Sequence, residues 1–219
     1  MKTAWLALAA LALAANGQTP AAADPVIQVD FSNPGLSPPQ WTMTLRPDGT
    51  GHFRSQMGKP PDGGLREIDT PSVDRDFQVS AEFAERVFDA AQRHKWFNET
   101  CESHLKVAFQ GWKTFTYTGP QGQGNCTFNY SKDKEIQTLG ESMQAVAETI
   151  LEGARLEMLL QHDRLGLDAE MEFLTDAAGD GRAQQLGAIR EILERLASDD
   201  AVLDRVRKRA RALLEHAAT

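Results

Sequence analysis

Apolar and polar residues alternate with a two-residue period through much of the first half of the chain and change to a helical spacing in the second. Trp41, Met43 and Leu45 alternate with Gln40, Thr42, Thr44 and Arg46. The turn-forming Pro47-Asp48-Gly49 follows and leads into Thr50 to Ser55, so this stretch predicts a hairpin. After the breaker Lys59-Pro60-Pro61-Asp62-Gly63-Gly64, Leu65 to Thr70 and Val73 to Val79 are short extended candidates. The stretch 24–39 is rich in Pro, Gly and Ser; within it, Val26 to Phe31 predicts an edge strand. Three further runs, Leu105 to Gln110, Trp112 to Thr118 and Cys126 to Ser131, predict a meander broken at Gly119-Pro120 and at Gly122 to Gly124.

The alternation also sorts side chains between two faces. Leu105, Val107, Phe109, Phe115, Tyr117, Cys126, Phe128 and Tyr130 fall together, and with Trp41, Met43, Leu45 and Phe53 they predict a covered face. The opposite face takes Thr114, Thr116, Thr127, Asn129 and Trp112 from the meander, and Thr42, Thr44, Arg46, His52 and Arg54 from the hairpin.

Helical spacing begins after Ser80, a candidate N-cap, with Phe83, Val87, Phe88 and Ala91 on one stripe up to His94. A long helix is predicted from Asp133 to about His162, its stripe running from Ile136 through Met143, Val146 and Ile150 to Met158. Asp168 reads as the cap of a short helix through Leu174, and two more helices are predicted over Arg182 to Ala197 and Asp200 to His216. The pattern therefore predicts an α+β protein, an antiparallel sheet covered on one face by helices and followed by a C-terminal helical segment. The expected division is 1–23, 24–162 and 163–219.

The first of those segments changes the picture most. Lys2 precedes Trp5, Leu6, Leu8, Leu11 and Leu13 set among alanines, and small residues follow, which is the pattern of a secretory signal peptide; the mature chain is expected outside the cytoplasm, secreted or periplasmic, with no membrane attachment. An oxidising compartment makes a bridge the simplest reading of two cysteines, so Cys101 and Cys126 are expected to pair. The formal net charge of -8 argues against a nucleic-acid partner, since phosphate backbones would be repelled.

Candidate chemistry is sparse. Asp176 to Gly187 starts like a calcium loop, but Ala178 and Gly187 stand where carboxylates are needed, so a polar turn between helices is expected. Asp168, Glu170, Glu172 and His162-Asp163 gather at a helix break without the spacing of a metal site. Arg205, Arg207, Lys208, Arg209 and Arg211 form a basic cluster opposite Val206, Ala210 and Leu213, with Asp204 and Glu215 on the same polar face. Three Asn-X-Ser/Thr matches occur at Asn98, Asn125 and Asn129, a pattern frequent by chance. No nucleophile elbow, metal cage, phosphate loop or cofactor motif is present, and no cofactor is predicted.

The polar sheet face is the strongest candidate site: Thr42, Thr44, Arg46, His52, Arg54, Trp112, Thr114, Thr116 and Asn129 could hold a polar or anionic ligand or a partner strand. The expectation is a non-catalytic binding or protein-interaction module whose ligand or partner the sequence does not name. Its rival is a small exported hydrolase with an acid and base assembled from His52 or His162 and nearby carboxylates.

Overall fold

The computed structural model of the chain describes residues 24–58 and 70–217. The expected signal segment 1–23 and most of the candidate strand Leu65 to Thr70 lie outside the described residues. The described strands are β1 (Val26–Ser32), β2 (Gln40–Leu45), β3 (Thr50–Ser55), β4 (Val73–Gln78), β5 (Trp112–Gly119) and β6 (Gly122–Phe128). They form one antiparallel sheet in the order β4-β3-β2-β1-β5-β6. The helices are α1 (Ala81–Arg93), α2 (Lys134–His162), α3 (Leu167–Gly179), α4 (Arg190–Ser198) and α5 (Asp204–His216). The architecture is α+β, as the pattern predicts, with a C-terminal helical segment.

Alternation is what makes the sheet one-sided. Ile27, Val29, Met43, Leu45, Phe53, Phe115, Tyr117 and Phe128 are buried on one face, where α1 and the first two-thirds of α2 cover them. Both helices start on side-chain caps: Ser80 Oγ accepts from the Phe83 amide, and Asp133 Oδ1 accepts from the amides of Glu135 and Ile136. A second apolar cluster takes over at Leu156, Leu159 and Leu160 of α2 and is built otherwise from α3, α4, α5 and the turns between them. The junction is tight at Gly153, where an added Cβ would sit 3.0 Å from Ile189 Cβ, so the turn Leu186–Ile189 rests directly on the α2 backbone.

Several sequence expectations are corrected. Val26–Ser32 is a central strand, not an edge one: β1 pairs with β2 on one side and β5 on the other along its whole length. That pairing displaces Leu105 to Gln110 from the meander. Both edges of β5 are occupied, by β1 and β6, so no strand forms at Leu105 to Gln110, and Leu105, Val107 and Phe109 are exposed rather than covered. The outer edge of β6 is approached by the turn Lys95–Phe97, whose three residues adopt left-handed backbone (φ 52, 57 and 63) while Trp96 stacks on Tyr117 at 4.4 Å. An added Cβ at Gly124 would fall against the Trp96 carbonyl oxygen and 2.9 Å from the Asn98 amide nitrogen, so only glycine permits this approach.

In the C-terminal segment, Asp168 does not cap α3, which follows Gly166 without a side-chain cap. Its carboxylate instead meets Arg205 at 2.6 Å and Arg209 at 2.7 Å, and these cations hold its pKa below the usual range. Arg207 pairs with Asp200 and Lys208 with Asp204, so most of the basic cluster is neutralised by neighbouring acids. The helix expected over Arg182 to Ala197 becomes a 3-10 turn, Leu186–Ile189, followed by α4. The helix expected from Asp200 starts at Asp204.

Cys101 and Cys126 form a disulfide, with Cα atoms 5.6 Å apart. Replacing both by serine is expected to lower the unfolding free energy by about 3 kcal/mol, the chain-entropy value for a loop of this size, read from the midpoint of urea denaturation. Gly153→Val is expected to cost about 2–3 kcal/mol by overpacking the junction of the two apolar clusters, read in the same way.

Candidate functional site

The open face of the sheet is ordered into cross-strand rows by the register. One row runs Asp74, Arg54, Thr42, Asp30, Thr114, Thr127, and the next runs Asp76, His52, Thr44, Gln28, Thr116, Asn125. Side chains hydrogen-bond along these rows and from one row to the next. Thr42 donates to Asp30 Oδ1 at 2.7 Å, Gln28 donates to Asp30 Oδ2 at 2.8 Å, and Thr114 and Thr127 share a hydroxyl bond of 2.8 Å. Of the nine sequence-predicted face residues, Thr42, Thr44, His52, Arg54, Thr114 and Thr116 lie in these two rows. Trp112 lies at the end of the same face, opposite Ser32. Arg46 falls beyond β2, in the turn that its own amide closes by donating to the Thr50 carbonyl. Asn129 falls beyond β6 and serves a different purpose described below.

The cations of the face are already spent. His52 sits between Asp74, 2.8 Å from Nε2, and Asp76, 2.8 Å from Nδ1, while Arg54 Nε donates to Asp74 Oδ2 at 3.0 Å. With three carboxylates, Asp30, Asp74 and Asp76, set against the Arg54 guanidinium and the His52 ring, the described face has no surplus positive potential for an anion.

Where the first row meets the end of the sheet, the face sinks into a depression of about 360 Å³. Its walls are Trp112, Arg54 and the amides Gln40 and Gln56; Ser32, Thr42, Thr114 and Asp30 make the base. Ser32 is the cause of the hollow: it stands directly between Gln40 and Trp112 in the register, and a short side chain between two long ones leaves a gap. The Trp112 indole, 46% exposed, closes one side as a flat apolar wall.

Beside this depression rises an arch, His104 to Gln110, all of whose residues are exposed. It carries Leu105, Val107 and Phe109, and the Phe109 ring meets Trp112 edge-on with centroids 6.2 Å apart. Leu36 from the β1–β2 loop and Met57 just after β3 are also exposed, so six of the eight exposed large apolar side chains among the described residues belong to segments converging on this end of the sheet. Isolated exposed apolar residues are ordinary, whereas several gathered at one end of a sheet are less so.

The arch is pinned at both feet. At the first, the Cys101 disulfide holds the chain to β6, the Ser103 amide donates to the Tyr130 carbonyl at 2.9 Å, and Glu102 accepts from the amides of Asn129 (2.6 Å) and His104 (2.9 Å). Burial alone would raise the Glu102 pKa, but these donors outweigh it and hold the carboxyl ionised, below the usual range. At the second foot, the Gln110 amide donates to Asn129 Oδ1 at 2.6 Å, and Gln137 Nε2 donates to Gln110 Oε1 at 3.2 Å. Beneath runs Lys113, 1% exposed, whose Nζ donates to the carbonyls of Gly111 (3.2 Å) and Asn129 (3.0 Å) and lies 5.3 Å from the centre of the Phe128 ring. Burial pulls the Lys113 pKa down to about 8 against the opposing charges of Glu141 and Glu102. Sequence reasoning missed both groups. Lys113 was legible in principle, because it shares the inward parity of Phe115 and Tyr117.

His52 and His94 have carboxylate partners, but neither arrangement leaves a nitrogen free. His52 is bracketed as above. His94, at the end of α1, engages Glu99 through Nδ1 at 2.7 Å and Glu135 through Nε2 at 3.0 Å, with Asp133 at 3.7 Å. A general base needs one unprotonated ring nitrogen facing its substrate, and here both are turned to carboxylates. His162 ends α2 exposed, with no ion pair among the described residues. No group of three His, Cys, Asp or Glu residues has the geometry to hold a metal ion among the described residues, and no described helix is long and apolar enough to cross a membrane. The chain matches no protein-family model and no curated relative.

The His94 cluster gives a signed pH dependence. Burial lowers the imidazole pKa, but the hydrogen bonds to Glu99 and Glu135 and the charge of Asp133 outweigh it, so the folded value lies above the unfolded one. The stabilisation is complete below the unfolded value of about 6.5 and is lost as pH rises through the raised folded value. The thermal midpoint of the protein is expected to fall across that window, and His94→Gln is expected to abolish the fall.

Proposed function

We propose that this protein is an exported, non-catalytic binding module, secreted or periplasmic, whose binding surface is the end of the open sheet face where the Trp112 depression adjoins the pinned arch. The observation that carries the reading is the half-exposed Trp112 on the wall of a largely polar hollow, with the exposed Phe109 of the arch set edge-on against it. Binding sites combine this kind of apolar contact area with a few placed polar groups, and exposed tryptophan is the residue type most enriched at binding hot spots. The disulfide fits an oxidising compartment, and the leader-like pattern at Met1 to Ala23 supports export. The acidic balance and the spent cations of the face speak against nucleic acid as the partner. The engagement of both nitrogens of His52 and His94 favours binding over hydrolysis.

The test is a thermal-shift screen of the protein across glycans, metal ions and anions. A true ligand at a hundredfold excess over its Kd stabilises by about 2.7 kcal/mol, several degrees in a domain of this size. The shift is expected to disappear in Trp112→Ala, whose exposed side chain can be removed without disturbing the apolar core. A ligand that stabilises Trp112→Ala as well as the unaltered protein would place binding elsewhere and overturn the assignment of the surface.

A further inference from the structure

Resting on the binding reading above, we infer that the Trp112 depression takes an uncharged saccharide unit, stacked on the indole and hydrogen-bonded to the amides and hydroxyls of the end of the sheet. A pyranose ring has two kinds of surface: an apolar face of C–H groups, and a rim of hydroxyls that each donate and accept. The depression supplies a complement to both. The indole wall is flat, apolar and open to solvent, and aromatic faces contribute contact area with little conformational cost. Gln40, Gln56 and Ser32 each both donate and accept, which matches hydroxyls better than it matches a carboxylate, a phosphate or an ammonium group.

Charge narrows the class further. The two ionised groups at the hollow are already committed. Asp30 accepts from Thr42 and Gln28 through separate oxygens, and Arg54 is held by Asp74. An anionic ligand would meet a guanidinium whose charge Asp74 already balances and would still face Asp30; a cation would meet a carboxylate that already accepts two hydrogen bonds and would lie beside the Arg54 guanidinium. A neutral polyhydroxylated ligand disturbs neither pair and can still accept from the remaining guanidinium N–H groups or donate to the remaining carboxylate lone pairs. The site is also open at the rim of the sheet rather than enclosed, which suits one unit of a longer chain that enters and leaves along the surface.

The experiment is saturation-transfer NMR and calorimetric titration with three probes: the hexasaccharides of β-1,4-linked N-acetylglucosamine and of β-1,4-linked glucose, and an oligogalacturonate as acidic counterpart. At least one neutral hexasaccharide is expected to bind, with saturation transferred to its ring C–H protons, and the oligogalacturonate is expected to bind more weakly. Trp112→Ala is expected to weaken the neutral probe by roughly thirtyfold, the loss typical of a tryptophan hot spot. Ser32→Phe, which fills the hollow from its base and leaves Trp112 in place, is expected to abolish binding, and circular dichroism of both variants checks that the fold is kept. Preference for the acidic probe, or no binding of either neutral probe, would overturn the saccharide assignment. If a non-saccharide ligand binds instead and is lost in Trp112→Ala, the binding surface stands and only its ligand class falls. If binding of any ligand is indifferent to both substitutions, the surface itself falls.

Discussion

The sheet has one apolar face, and an apolar face has to be covered; the rest of the architecture follows from the element that covers it. Six strands at about 4.8 Å spacing make a sheet roughly 24 Å across, and strands of six to eight residues are of similar length. The 29 residues of α2 make a helix about 43 Å long, so it outruns the sheet in any orientation. Its overhanging residues, Leu156, Leu159 and Leu160, are as apolar as those over the sheet, and leaving them in water would forfeit about 25 cal/mol for each Å² exposed. The C-terminal helices close that overhang, and Gly153 sets how closely they approach.

Because the described helices cover one side, the other side of the sheet is open among the described residues, and its composition is free to follow hydrogen bonding. The cross-strand rows show the result: threonines and glutamine in the middle strands, with alternating charges toward β4, where His52 and Arg54 meet Asp74 and Asp76. Charged side chains on the last strand of a sheet also discourage another chain from adding to its edge.

Most of this fold was legible in the sequence because most of it is written in local periods. The period of two through Trp41, Met43 and Leu45, and the stripe from Ile136 to Ile150, each specify an element and its buried face without reference to anything distant. What was not legible is pairing between remote segments. Val26 to Phe31 looks like a fringe because it is a short apolar run within a Pro-, Gly- and Ser-rich stretch, yet Ile27, Val29 and Phe31 take the centre of the sheet. Leu105 to Gln110 has the alternation of a strand and forms none, since the edge it would have joined is already taken by β1. The open face was legible from parity alone, including Trp112, Arg54 and Thr42. The hollow within it was not, since it depends on Ser32 standing between Gln40 and Trp112 across three strands. Asn129 has the parity of a face residue but works as a brace, because β6 ends at Phe128 and the next side chain turns to the arch.

The pinning of the arch bears on how its area converts into affinity. A floppy loop that closes on a partner surrenders backbone freedom at about 1–2 kcal/mol for each residue ordered, enough to cancel the gain from the apolar side chains it carries. The stretch His104 to Gln110 surrendered much of that freedom when the chain folded, through the disulfide, the Glu102 carboxylate and the Asn129 side chain. A ligand docking on Phe109 and Trp112 would therefore find this backbone ordered in advance, and that part of the ordering cost would not be charged against its affinity.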